Sequence, residues 1–383
     1  MSVDRQRYRV AVIGVAHMHV NELMRRFAEL PNVDMVAIAD TAPAGSELNT
    51  TSPSTRAHTL RVAQADVGIP RVYDEYQMLL ERERPDIVLL CPELARTGAI
   101  GEVVARYGAH IVTEKPLAAT LTDGVRLVRA AEAAGVRLMV NWPSAWSGPI
   151  RRMKQLVDEG RVGAVQQVHM RLESGGPFAT GASHPGVVGG VAGLTDAEKA
   201  ATWWYDAAQG GGAFLDYCCY GAALARWFFD AQPVSAVGVR ANLASPFGTA
   251  DDNGLLVLHF ERGLAVAEGT WSCVDLGGIG GPVVYGSTAT LSLDGPPGSA
   301  RVRVTGPDHR SALEEAAAPP PGRATLASEF LHHLATGEPL QPLLAPEFNL
   351  DVMAVLDAGQ RSASSGRAEP VPRPGAPGAS AEP

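Results

Sequence analysis

Through the first 140 residues, short β-branched and apolar runs alternate with stretches of helical period. Tyr8–Ile13 reads YRVAVI, Val33–Ala39 reads VDMVAIA and ends in Asp40, and further apolar runs occupy residues 86–90, 110–112 and 137–140. Helical spacing falls between them, over about 19–30, 73–84, 98–107 and 122–134. Such alternation with short connections predicts a parallel sheet covered on both faces, because right-handed crossovers place the helices there. Residues 41–57, rich in Ser, Thr, Pro and Ala without apolar period, read as a surface loop.

Beyond a helix over 147–159 the pattern turns strand-rich, with apolar alternation over 165–172, 234–243, 255–260, 264–272 and 288–293. A strongly apolar helix over 214–229 follows Gly210, Gly211 and Gly212, and two more helices are expected over 326–335 and 347–364. The expectation is an α/β chain in two parts. A doubly wound Rossmann domain spans 1–143, and an α+β domain with an open, mostly antiparallel sheet spans 144–367. Residues 368–383, mostly Pro, Ala, Gly and Glu, read as a disordered tail.

Composition narrows the partners. A net charge of −9 with no clustered Lys and Arg argues against nucleic acid. No apolar run reaches membrane-spanning length, and the polar start at 1–9 lacks a signal peptide's apolar stretch, so a cytoplasmic location is expected. Cys91, Cys218, Cys219 and Cys273 have neither metal-site nor disulfide-scaffold spacing and read as reduced thiols.

Gly14, Val15, Ala16, His17, Met18 and His19 form the turn after the first strand, with glycine at only the first position of G-x-G-x-x-G. Strand, turn, helix and an acid ending the next strand together point to a dinucleotide site. In that reading the turn's amides and the helix dipole face a pyrophosphate, and Asp40 takes the ribose diol, favouring NAD over NADP. His17 and His19 are read as lining this pocket, and no metal is expected because no ligand set adjoins them in sequence. Glu114, Lys115 and Pro116 end the fourth strand, where doubly wound folds bind ligands.

VAVIG at 10–14, GAHIVTEKPLA at 108–118, GRVGAVQQV at 160–168, GGGAFLD at 210–216, DDNGLLVLHF at 251–260 and the final helix at 349–367 run in order along the chain. With this set the chain resembles the Gfo/Idh/MocA family of glucose-fructose oxidoreductases and inositol dehydrogenases over nearly its whole length. The resemblance implies a nicotinamide-dependent oxidoreductase acting on a ring-carbon hydroxyl of a sugar, glycoside or inositol. It implies Lys115 as the group reaching both nicotinamide ribose and substrate, and assembly into a homodimer or homotetramer.

The family's Asp, then His four residues on, here reads Asp216 and Tyr220, which share one helix face. Tyr220 is then the proton donor and acceptor, its pKa lowered by Lys115, with Asp216 orienting the substrate. Arg96 stands about where many members carry a histidine near the nicotinamide. Trp142 and Trp204 are expected against the substrate ring, with Trp146 and Trp203 flanking the cleft, and the glycine-rich stretch 178–199 as a covering loop or subunit contact. A sugar- or dinucleotide-sensing regulator of the same fold, or an oxidoreductase recycling a tightly held cofactor, are the alternatives.

Overall fold

The structure, a computed structural model, describes residues 7–42, 46–188, 193–273, 280–296 and 298–374. Expectations for residues 1–6, and for parts of the 41–57 and 178–199 stretches and of the tail, lie outside these residues.

The first unit alternates strand and helix as the pattern predicts: β1 Tyr8–Ile13, α1 Val20–Ala28, β2 Val33–Ala39, α2 Arg56–Ala65, β3 Val72–Tyr73, α3 Tyr76–Glu83, β4 Ile87–Leu90, α4 Leu94–Arg106, β5 His110–Glu114, α5 Leu121–Ala134 and β6 Leu138–Asn141. All six strands are parallel in the order β3-β2-β1-β4-β5-β6. The order reverses between β1 and β4, and ligands of such sheets bind beyond the strands' carboxyl ends at that point. β4 is buried at every residue, as expected of a central strand covered on both faces.

The second unit holds α6 Pro143–Trp146, α7 Gly148–Asp158, β7 Val165–Glu173, α8 Asp196–Ala200, α9 Cys219–Phe229, β8 Ser235–Ala241, β9 Asn253–Phe260, β10 Gly263–Thr270, β11 Val283–Gly286, β12 Thr290–Asp294, β13 Arg301–Thr305, β14 Ser311–Glu314, α10 Leu326–Thr336, α11 Pro346–Ser365 and β15 Glu369–Pro370. Its nine strands run β14-β13-β12-β11-β7-β10-β9-β8-β15, antiparallel except where β10 meets β7. Helices α9 and α11 cover one face, over Ala236, Leu256, Leu258, Ala265 and Val168.

Three expectations change. The described part of the 41–57 stretch is no plain surface loop: Thr55 caps α2, and Ser52, Ser54 and Arg56 are buried. The described start of the tail is ordered, because β15 pairs with β8 and the Val371 amide donates to the Val234 carbonyl. Helix α8, closed by a Thr195–Glu198 capping box, interrupts the stretch read as loop. Among the described residues no helix is long and apolar enough to cross a membrane.

The two units are joined inside the molecule as well as along the chain. Trp142, just past β6 and fully buried, donates from Nε1 to Asn349 Oδ1 at 2.7 Å, and Asn349 Nδ2 donates to the Leu343 and Ala345 carbonyls. Asn349→Ala would leave the buried indole N–H and the Leu343 carbonyl without these partners, while the Ala345 carbonyl keeps the residue-349 amide, a loss of about 3 kcal/mol. Urea unfolding followed by tryptophan fluorescence checks this; a change below about 0.5 kcal/mol would show the junction is held by apolar packing alone.

Candidate functional site

The carboxyl ends of β1, β2, β4 and β5 meet the segment that leads into α9. Gly14 turns the chain after β1 with φ 81°, and a Cβ there would come within 2.5 Å of the Pro92 nitrogen, so only glycine allows this approach. At the start of the α9 segment, Gly212 has φ 116°, and the Asp251 carboxylate lies against it. Asp251 then holds the chain in place, its backbone carbonyl accepting from the Ala213 amide at 2.9 Å and its Oδ1 from the Phe214 amide at 2.7 Å.

The helix expected over 214–229 is two structures. Phe214–Cys218 is a π-helical turn, and α9 proper begins at Cys219. Such turns are frequent at functional sites. Here the turn contains Asp216, whose Oδ1 stands 2.5 Å from Lys115 Nζ, and whose backbone carbonyl accepts from the same ammonium at 2.9 Å. Lys115 is only 1% exposed. Its Nζ also lies 4.8 Å from the centre of the Tyr220 ring, and the Trp142 ring meets Tyr220 edge-on at 5.5 Å. Lys115, Asp216 and Tyr220 are thus brought to one place, as the sequence led us to expect.

Charge at this place differs from expectation. Burial works to lower the Lys115 pKa, but Asp216 and then Tyr220 and Cys219 more than offset it, so the ammonium is held well above its ordinary value. Tyr220 is not lowered: burial raises its pKa, and the opposing pull of Lys115 does not cancel it. The neighbouring Tyr217, its hydroxyl 2.9 Å from Ser174 Oγ, is likewise pushed up to about 12, mainly by burial. Both Lys115 and Tyr220 are therefore protonated at neutral pH.

The two tryptophans expected against a substrate ring are elsewhere. Trp142 has no exposed face and supports Tyr220 from behind. Trp204, 4% exposed, packs against His17, Trp203 and Trp271. Trp203 donates from Nε1 to the Ala16 carbonyl at 2.8 Å, so both indoles lie on the turn after β1. Arg96 reaches away from this centre, towards the Ala42 carbonyl at 2.5 Å.

This bears directly on a dinucleotide. The Val15 amide is engaged by Asp40 Oδ1 and the Ala16 amide by the Cys91 carbonyl, and Val15, Ala16, His17 and Met18 are each at most 4% exposed. Asp40 is not free for a ribose, because Arg56 grips both its oxygens at 2.7 and 2.8 Å and reaches Glu93 as well. A cavity of about 270 Å³ beside Arg56 and Glu93 and another of about 220 Å³ beside His19 and Glu114 mark two ends of the expected groove. Between them Trp203 and Trp204 fill the middle, so the turn as described does not offer a pyrophosphate its seat.

Arg56 was not visible in sequence, and Glu114, expected at the ligand end of the sheet, was not visible as a neighbour of the two histidines. Arg56 lay in a stretch that reads as loop, although Thr55 before a helical run was an available cap signal. Glu114 is the carboxylate whose apparent absence spoke against a metal near His17 and His19. Its Oε2 stands 3.6 Å from His19 Nδ1, while its Oε1 accepts from Asn141 Nδ2 at 2.8 Å. His184 adjoins them, its ring centre 5.9 Å from that of His19. Burial pushes the pKa of His17 well down, and that of His184 down.

Family models match both units: residues 8–142 fit an oxidoreductase family with an NAD-binding Rossmann fold, and residues 150–292 the GFO/IDH/MocA C-terminal domain. A dTDP-3,4-didehydro-2,6-dideoxy-alpha-D-glucose 3-reductase of Saccharopolyspora spinosa is 26% identical over 260 residues, 68% of this chain and 67% of that protein. A 1-carboxy-3-chloro-3,4-dihydroxycyclohexa-1,5-diene dehydrogenase of Comamonas testosteroni is 27% identical over 161 residues, 42% of this chain and 37% of its own length. With several such relatives the matched stretch spans only about two fifths of their length. The fold of aldose-aldose oxidoreductase from Caulobacter crescentus superimposes with a TM-score of 0.73, at 21% identity, over 95% of this chain and 100% of that one.

Asp251, which braces the approach to Asp216, yields a pH prediction. Burial raises its pKa to about 6, above the ordinary carboxylate value, so between about pH 4 and 6 the folded chain holds a proton that the unfolded chain releases. Stability attributable to this group therefore falls as pH rises through that window. Asp251→Asn keeps an oxygen for the Phe214 amide and should flatten this slope, gaining about 2 kcal/mol over the native chain at pH 7 relative to pH 4. Thermal unfolding at both pH values measures it, and parallel profiles would exclude Asp251 as the source.

Proposed function

Because the chain belongs to the GFO/IDH/MocA family of NAD(P)-dependent oxidoreductases, we propose that it moves a hydride between nicotinamide and a ring-carbon hydroxyl, or the matching ketone, of a sugar, glycoside or inositol. The observation that carries this reading is the convergence of the Lys115 ammonium, the Asp216 carboxylate and the Tyr220 ring at the carboxyl end of β5. The names of the curated relatives, a didehydro-glucose reductase and a dihydroxycyclohexadiene dehydrogenase, support an oxygenated ring as substrate.

A bound nicotinamide dinucleotide supplies the hydride in this reading; NAD is preferred to NADP where Asp40 exchanges Arg56 for a ribose diol, and seating the cofactor requires Trp203 and Trp204 to leave the turn. The rest falls to this chain's side chains. Lys115, charged and shielded from water, stabilises negative charge developing on the substrate oxygen far better than it would in solvent. Tyr220 holds the proton that this oxygen takes up on reduction. Asp216 fixes the ammonium and accepts from a neighbouring hydroxyl. With both Lys115 and Tyr220 protonated at neutral pH, the site carries a proton that an alkoxide formed on reduction can take up.

The open face of the nine-stranded sheet supports a homo-oligomer. Register puts Val237, Val239, Leu264, Tyr285 and Leu313 on the side away from α9 and α11, all more than a third exposed. A second copy covering this face would bury them, giving a homodimer or homotetramer.

Two tests follow. Light scattering should find an oligomer that Val239→Asp shifts towards monomer; a monomeric native chain would leave the sheet face unexplained by self-association. Sugars, inositols and their keto forms are screened with NAD, NADP and their reduced forms. Lys115→Ala and Tyr220→Phe should each lower kcat by roughly 10²–10⁴ while circular dichroism stays native. The native reductive rate should stay level through neutral pH and fall only in the alkaline range. Near-native turnover in either variant would remove that residue from the reaction.

A further inference from the structure

We propose that His17, His19 and Glu114 hold one divalent transition-metal ion, of the zinc, iron(II) or manganese(II) class, at the carboxyl end of the parallel sheet. Among the described residues this is the one group of three or more His, Cys, Asp or Glu side chains whose ligand atoms converge, all lying within 4.8 Å of one another. Two imidazoles and a carboxylate form a ligand set that zinc and non-haem iron enzymes use while leaving positions open to water or substrate.

Two unpartnered atoms carry the argument. His19 Nδ1 and Glu114 Oε2 are both buried, neither has a hydrogen-bond partner, and they face each other at 3.6 Å. A direct N–H to carboxylate bond would close to roughly 2.7–3.2 Å. Two ligand atoms each about 2.0–2.2 Å from a shared tetrahedral ion stand roughly 3.4 Å apart, close to the separation seen. The Glu114 side chain, 3% exposed, is also aimed by its surroundings: Asn141 Nδ2 donates to its other oxygen, and Trp146 Nε1 donates to Asn141 Oδ1 at 2.9 Å. Outer partners of this kind orient a metal's carboxylate ligand.

Charge and space agree. The Lys115 ammonium is matched by Asp216, which leaves the Glu114 carboxylate as negative charge for the ion. The cavity of about 220 Å³ reaches His19 and Glu114, giving an entry path and room for a water or a substrate oxygen. His184 stands farther out with its Nε2 2.7 Å from the Pro177 carbonyl, and serves as a neighbour of the site. The assignment does not depend on the nicotinamide reading.

The full-length chain is stripped with a chelator and titrated with Co²⁺, then with Zn²⁺. We expect a visible d–d band saturating at one Co²⁺ per chain, its displacement by Zn²⁺, and one Zn²⁺ retained through gel filtration by elemental analysis. Glu114→Gln and His19→Gln should each weaken Co²⁺ binding by about 100-fold or more, His184→Ala by far less. Circular dichroism and melting of the metal-free variants against metal-free native chain separate ligand loss from misfolding. A folded native chain with no band and no retained metal, or an undiminished band in Glu114→Gln, overturns the proposal. NADH binding, read by nicotinamide fluorescence on the same samples, reports the cofactor reading separately.

Discussion

An ammonium group removed from water persists only beside a counter-charge, and the contact between Lys115 and Asp216 meets that need across 101 positions of sequence. Lys115 ends β5 of the parallel sheet; Asp216 sits in the π turn that opens α9 over the second sheet. Taking away one partner of a buried pair typically costs 3–5 kcal/mol, because the other charge is left stranded. The pair therefore makes docking of the two units a condition for keeping the lysine charged. Gly212, Asp251 and the π turn exist, in energetic terms, to deliver one carboxylate and one carbonyl to that ammonium.

Much of this was readable from residues alone, and the divide is physical. The central strands of the first sheet are buried almost throughout, so VAVI and IVLL announce themselves as continuous apolar runs. The half-exposed strands of the second sheet show alternation, which marks the elements but leaves their order of pairing open. Where propensity was locally weak, tertiary contact decided. Helix α2 has little apolar period, yet Arg56 enters the interior because Asp40 and Glu93 wait there. The first residues of the tail order because β8 offers an edge.

Lys115, Asp216 and Tyr220 could be placed from sequence because their motif fixes their neighbours. Their titration could not, since it depends on how much water the fold removes, and burial outweighed the lysine's pull on the phenol. The tryptophans were misplaced for a related reason. An aromatic residue near a cleft can face the ligand or seal the wall, and the choice between them is set by where its N–H finds an acceptor. Trp142 found Asn349 and Trp203 found the Ala16 carbonyl. The grouping of His17 and His19 with Glu114 needed the β1–β4–β5 adjacency, which brings positions about a hundred residues apart onto one sheet end.

Two terms of opposite sign act at the groove. Burial of the two indoles in one cluster with Ala16, Met18 and Leu94 is worth several kcal/mol. Against that stand a carboxylate oxygen and an imidazole nitrogen left without partners, a deficit of about 1–3 kcal/mol for each such group, and more for a charged one. A ligand that satisfies Glu114 and His19 from the side cavity gains this deficit without disturbing the indoles. A ligand that needs the turn itself must first displace them. On the proposed readings the packing would set an order of binding: what enters beside Glu114 meets a prepared site, and what enters over Ala16 meets a wall that has to move.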